Sequence, residues 1–232
     1  MENMGLAINS IYRATEGEGI FIGSPQVFVR FQGCAVGCLN CDSKDTWDFP
    51  LEPTLNMKEA LEKVAGQAGP LKRVSVTGGD PLHPKNVPGV LALVKELKAL
   101  GNWINLEAAG TRILPEIFDL VDFISFDFKT PSTGVQTRLV LLKEMAMNYP
   151  NKFQIKAVIE TPEDFEATLE AKKFVFGDGF VPWVLTPAYN LGEDFPKMRF
   201  QEIVDLNELS GGHFRVIGQQ HKWLHGPDKK QI

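Results

Sequence analysis

The chain has 232 residues, 44% of them hydrophobic and 23% charged. These values are ordinary for a globular protein, and a single domain of this length buries roughly 70 to 75% of its unfolded surface. With 24 Lys and Arg against 29 Asp and Glu, the net charge is -5, and no basic block is present of the kind that neutralises a phosphate backbone, so nucleic acid is not an expected partner. No run approaches the ~20 apolar residues of a membrane span, and residues 1–19 lack the basic and then apolar regions of a signal peptide. No membrane association is expected, and a reducing, cytoplasmic setting is.

The predicted elements alternate along the chain. "QVFVRFQG" (26–33) has the alternation and β-branched content of a strand and runs straight into Cys34. "MKEALEKVAGQAG" reads as a helix closed by Gly69-Pro70, "KRVSVTGG" as a buried strand ending in two glycines, and "NVPGVLALVKELKALG" as a helix with Gly101 after its last turn. "WINLEAAG", "VDFISFDFK", "FQIKAVIE" and "FVPWVLTP" read as further strands. Helical stretches lie around 136–149 and 163–175, and a helix around 197–210 leads to a last strand, "HFRVIG". Serial βα units imply an α/β fold with a mainly parallel sheet, open or curled into a partial (β/α) barrel. No linker or repeat breaks the series, so residues 1–232 are expected to form a single domain.

In such sheets chemistry collects where the βα loops leave the carboxyl ends of the strands. The unusual residues fall there. Cys34 follows "FVRF", Gly78-Gly79-Asp80-Pro81 follows "VSVT", Glu107 ends "INLE", Asp127 and Lys129 end "FISFDFK", and Thr186-Pro187 end "WVLT".

All three cysteines, Cys34, Cys38 and Cys41, lie within one loop. An odd number of closely spaced thiols in a cytosolic chain points to a metal site and away from a disulfide framework. A closed zinc site needs four ligands, and no histidine lies in or near the loop, the closest in sequence being His83. Cys-x3-Cys-x2-Cys suits three corners of a 4Fe-4S cluster, with a fourth iron left open for a ligand that chelates through an amine and a carboxylate, as S-adenosylmethionine (SAM) does.

The cysteine loop resembles the radical SAM signature. "TGGDP" resembles the motif that holds the SAM amino group in that superfamily, and Glu107 in "NLEAAGT" resembles the residue that receives the ribose hydroxyls. Asn40 departs from the pattern, standing where most members carry an aromatic residue near adenine. A narrower likeness spans the chain. Gly17-Glu18-Gly19, Arg30, Asp42-Ser43, "KTPSTG" (129–134) and "QQHK" (219–222) resemble the 7-carboxy-7-deazaguanine synthase family. That resemblance implies a lyase of 7-deazapurine and queuosine biosynthesis, which contracts 6-carboxy-5,6,7,8-tetrahydropterin with loss of ammonia. A 5'-deoxyadenosyl radical removes the C6 hydrogen, and SAM is regenerated in each cycle.

The same resemblance implies site residues. Cys34, Cys38 and Cys41 would carry the cluster. Cofactor contacts are expected from Asn40, Asp42, Gly78, Gly79, Asp80, Glu107, Asp127, Lys129 and Ser132, and Ser43 would hold Mg2+, which keeps several waters of its own. Substrate contacts are expected from Glu16, Gly17, Glu18, Arg30, Thr77 and His221. Arg30 offers a forked cation to the pterin carboxylate, Glu18 an acceptor to the guanidine-like edge, and His221 a donor to a ring carbonyl or carboxylate. Glu16, where the family usually has Gln, ranks below Glu18, because it brings a negative charge beside an anionic substrate. The family further implies a homodimer and an electron donor such as flavodoxin or ferredoxin.

Other readings compete. A glycyl-radical-enzyme activating protein has a similar cluster loop but would need an open groove for a peptide. A non-catalytic cluster or zinc module would leave "GGDP", Glu107 and "KTPSTG" without a purpose. Arg30 could be an exposed sheet residue, Lys129 and Ser132 could merely shape the turn at Pro131, and the four tryptophans are expected in core or interface positions.

Overall fold

The computed structural model describes residues 4–231. In chain order the elements are β1 (Gly5–Leu6), β2 (Ile8–Thr15), β3 (Pro25–Phe31), β4 (Leu55–Asn56), α1 (Met57–Ala68), β5 (Arg73–Gly78), α2 (Val87–Ala99), β6 (Trp103–Ala108), α3 (Pro115–Phe118), β7 (Phe123–Asp127), α4 (Leu139–Asn148), β8 (Phe153–Ile159), α5 (Pro162–Phe176), β9 (Trp183–Pro187), α6 (Lys197–Leu209), β10 (Arg215–Val216) and α7 (Gln220–His225).

Eight strands form one sheet in the order β10-β9-β8-β7-β6-β5-β3-β2. All neighbours pair parallel except β2 with β3, which is antiparallel. A separate antiparallel pair joins β1 to β4. No ladder joins β2 to β10 among the described residues, and the mainly parallel α/β architecture read from the sequence is the one observed.

The two faces of the sheet differ in chemistry. Successive strand residues point to opposite sides, and one side carries Val27, Val29, Val74, Val76, Ile104, Leu106, Ile124, Phe126, Ile155 and Ala157, all buried in the main core against the helices. The other side carries Gln26, Arg30, Arg73, Ser75, Thr77, Asn105, Glu107, Ser125, Gln154 and Lys156. These bond to one another across strands: Arg73 Nε donates to Gln26 Oε1 at 2.9 Å, Asn105 Nδ2 to Ser75 Oγ at 2.9 Å, and Gln154 Nε2 to Ser125 Oγ at 2.7 Å. Parallel strands with helices on both faces are near-continuously apolar. Here one face is polar, and its Arg30, Thr77, Glu107 and Lys156 line the site.

The helices start where their sequences direct. Asn56 and Glu59 close a capping box at α1, and Thr161 and Asp164 close another at α5, where Pro162 occupies the first turn. Two expectations change. "HFRVIG" forms only the two-residue β10 at the sheet edge, and "INSIYRAT", not read as a strand, forms the eight-residue β2 on the opposite edge. No helix among the described residues is long and apolar enough to cross a membrane.

Candidate active site

A cavity of about 760 Å3 opens at the carboxyl ends of the strands. Every residue expected to contact the cluster, SAM, Mg2+ or the substrate lines it except Asp80. The Asp80 carboxylate is buried and accepts from the Leu82 amide at 3.0 Å, bracing the loop from behind. The fifth loop contributes too, but Thr186 and Pro187 stay buried in β9 and Ala188, Tyr189, Asn190 and Leu191 reach the cavity in their place.

The three thiols are free and partly exposed on the cavity wall. The Val36 amide donates to Cys34 Sγ and the Ser43 amide to Cys41 Sγ, each at 3.4 Å. Burial pushes the Cys34 and Cys38 thiols up, and the negative charges of neighbouring cysteines add to the effect. A bound cation or cluster would reverse this effect and hold the sulfurs as thiolates. Among the described residues no three His, Cys, Asp or Glu side chains converge closely enough for a single metal ion. Three thiols in one cavity wall, with no histidine in their loop, match the ligand count of a 4Fe-4S cluster with one open iron better than that of a closed zinc site. Gly79 packs behind them: a Cβ there would lie 2.6 Å from the Gly33 carbonyl oxygen and 2.8 Å from Cys34 Cβ. Only a glycine lets the two loops approach this closely.

Charged side chains organise the other wall. Lys156 of β8 meets Glu18 at 2.7 Å and Glu107 at 3.3 Å. Burial works against the Lys156 ammonium, but Glu107 and Glu18 outweigh it and hold its pKa well above the ordinary lysine value. Burial likewise favours neutral Glu18, yet Lys156, His221 and the Gln219 hydrogen bond prevail and lower its pKa, so it stays ionised. Asp127 accepts from Lys129 Nζ at 2.7 Å, and that partner outweighs the burial that would discharge Lys129. Arg30 points toward the cluster loop, with Nη1 at 3.4 Å from Ser43 Oγ and Nη2 at 3.1 Å from the Tyr12 hydroxyl. Ser43 Oγ also donates to Asp42 at 3.0 Å.

The segment after β10 closes the cavity. Gln219 Nε2 donates to Glu18 at 2.7 Å and the Gln220 amide to the Gly17 carbonyl at 2.9 Å, while Lys222 pairs with Asp42 at 3.0 Å. The His221 ring lies against Gly17, where a Cβ would fall 1.9 Å from Nδ1. Burial lowers the His221 pKa, the charge of Glu18 opposing it. Gln219 Oε1 is buried, borders the cavity and has no protein partner, which is the disposition of a group that accepts from a ligand.

Residues 15–111 match a family model described as a 4Fe-4S single cluster domain. The chain is 30% identical to 7-carboxy-7-deazaguanine synthase of Chlorobaculum tepidum, over 98% of this chain and 97% of that one. It is 30% identical to the synthase of Thermoplasma acidophilum, over 95% and 98%. The chain belongs to the 7-carboxy-7-deazaguanine synthase family. Its fold resembles the crystal structure of QueE from Escherichia coli, with a TM-score of 0.68, 22% identity and coverage of 94% and 95%. It also resembles Streptococcus suis SuiB bound to S-adenosylmethionine, with a TM-score of 0.55 and 14% identity over 81% of this chain and 48% of that one.

Several residues of this family member's cavity were not anticipated. Lys156 sits in "FQIKAVIE", a segment legible as a strand, but its two acidic partners are distant in sequence. Glu160, which accepts from Asn40 at 3.2 Å and from Asn190 at 3.0 Å, carries no local signal either. Ser132 is already engaged, donating through both its amide and its hydroxyl to Asp164.

Proposed function

We propose that the chain is a 7-carboxy-7-deazaguanine synthase, a lyase that contracts 6-carboxy-5,6,7,8-tetrahydropterin to 7-carboxy-7-deazaguanine with loss of ammonia. The observation that carries this is the meeting, in one cavity of a chain of this family, of a three-thiol wall with a wall of Glu18, Lys156, Arg30 and His221. Bound cluster and SAM supply the radical that takes a hydrogen atom from the substrate. Cys34, Cys38 and Cys41 would hold the cluster, and Gly78 and Gly79 would let the SAM amino acid approach backbone. Asp80 shapes that loop from behind. Asn40, Asp42, Glu107, Asp127, Lys129 and Ser132 complete the cofactor side.

On the substrate side Arg30 takes the pterin carboxylate in a bidentate pair. Ionised Glu18 accepts from the amino edge of the ring, Gly17 leaves room for the His221 imidazole, which donates to a carbonyl or the carboxylate, and Thr77 adds a hydroxyl. Glu16 also faces the substrate. Ser43 would hold Mg2+, and since the Arg30 guanidinium lies 3.4 Å from the same hydroxyl, a substrate carboxylate would offset the two positive charges. Residues 1–232 act as one unit, as a homodimer in the cytoplasm, reduced by a flavodoxin or ferredoxin.

The test is an anaerobic assay of reconstituted protein with SAM, a strong reductant, magnesium and the tetrahydropterin, with products followed by mass. Formation of 7-carboxy-7-deazaguanine without net loss of SAM is the expected result. Slow cleavage of SAM to 5'-deoxyadenosine while the pterin survives would overturn the substrate assignment and favour an activator of glycyl-radical enzymes.

A further inference from the structure

Glu16 has the least accommodated charge in the cavity. It is 6% exposed and it borders the cavity beside two other carboxylates, Glu18 on its own loop and Glu107 on β6. The ammonium within reach of all three, Lys156 on β8, is committed to Glu18 and Glu107, and among the described residues no cation pairs with Glu16. Arg73 on β5 also bears on Glu16, and His221 on α7 borders the same cavity. Arg73 contacts Glu16 only through Gln26, and its guanidinium is held between Phe21 and Trp103, at 4.2 and 3.7 Å from the ring centroids.

Burial beside two carboxylates and without a paired cation decides which form of Glu16 the pocket accepts, and its hydrogen bonds decide which oxygen is the less engaged. Arg73 can only donate, so Gln26 must turn Oε1 toward it and its amide NH2 toward Glu16, where Nε2 donates to Oε2 at 2.8 Å. Oε2 is thereby fixed as an acceptor. Oε1 accepts from the Glu18 amide at a long 3.3 Å, so it is the more weakly engaged oxygen and the one that can carry a proton.

We propose that Glu16 enters the site as the neutral carboxylic acid, with the proton on Oε1 donated to an acceptor atom of the bound ligand. It thus selects a ring that presents a carbonyl or an unprotonated nitrogen at that place. This rests on the pterin reading above. It also removes the difficulty of a further negative charge beside an anionic substrate. Burial first and the neighbouring Glu107 second push Glu16 up to about 7, so the acid form is available at neutral pH and lost above it.

Two measurements on the reconstituted protein test it. Infrared difference spectra across a pH titration should show a protonated carboxyl stretch that disappears through about pH 7 and is missing in Glu16→Gln. A Glu16 signal that titrates with the exposed carboxylates would overturn the proposal. Binding of 6-carboxypterin, the aromatic analogue, should then weaken by about tenfold per pH unit above that midpoint in the parent protein, and Glu16→Gln should flatten the dependence. Equal slopes in the two proteins would overturn the contact with the ligand. An analogue that binds neither protein at any pH would instead sink the pterin reading, while the infrared band still reports the acid.

Discussion

Lys156 Nζ and Glu18 Oε2 meet at 2.7 Å across 138 residues of sequence. The same ammonium reaches Glu107 at 3.3 Å, so one cation from β8 ties the loop before β3 to the end of β6. Lys156→Met leaves two largely buried carboxylates without their partner. We expect a loss of about 3 kcal/mol in chemical denaturation at neutral pH, with pterin binding weakened as well. Loss of less than a few tenths would mean that the pair is solvated and dispensable.

The pH dependence of stability follows from the same pair. Glu18 is lowered below its ordinary value of 4.5, so its contribution is complete above that value and fades as the pH falls through the lower folded one. Acid unfolding of the parent protein should therefore begin below about pH 4.5. In Lys156→Met, whose Glu18 has lost its chief stabilising charge, the acid limb should be flatter. Glu16 works in the opposite sense: raised to about 7, it favours the fold at low pH and loses that contribution as the pH rises through 7.

Cys38→Ala should abolish the brown cluster absorbance and all turnover. Cys38 lies in a loop and is only partly buried, so the thermal midpoint of the cluster-free protein should move little. Full iron content in this variant would exclude Cys38 as a ligand.

Gly79→Ala probes the cluster loop from behind. Its new methyl meets the carbonyl oxygens of Gly33 and Thr46 at 2.6 and 2.8 Å, and these are backbone atoms that cannot swing away. We expect a destabilisation of about 1 to 3 kcal/mol together with poor iron incorporation. Normal iron content would show that the two loops are less tightly apposed.

For His221→Ala, KM for the pterin should rise by about tenfold, the worth of one good hydrogen bond, with uncoupled SAM cleavage largely retained. Unchanged substrate kinetics would take His221 out of the pterin site.

The sheet was legible because its central strands are β-rich and bounded by glycines, and the cysteine loop because its chemistry is packed into eight residues. What escaped notice lacked a local pattern. β2 mixes Asn, Ser, Tyr and Arg on a half-exposed edge, where no clean alternation is required. α7 has six residues, too few for helical periodicity to register, although its "QQHK" was conspicuous as a motif. Lys156 is apparent only once β8 lies beside β7 and its ammonium reaches Glu107. Asp80 shows the converse: the motif marked the right loop, but the carboxylate turns inward to hold the Leu82 amide.

The clasp between Gln219 and Glu18, 201 residues apart, has a consequence for the order in which this enzyme can be made. A nascent chain can have β2 through β9 in place before residues 219–222 emerge from the ribosome. Until they do, Glu18, Gly17 and Asp42 lack the partners that α7 and the residue before it bring. A chain interrupted late in synthesis, or clipped after β10, would keep its sheet and its three thiols and have no working reaction chamber. Such a product would be recognisable as one that takes up iron without retaining substrate.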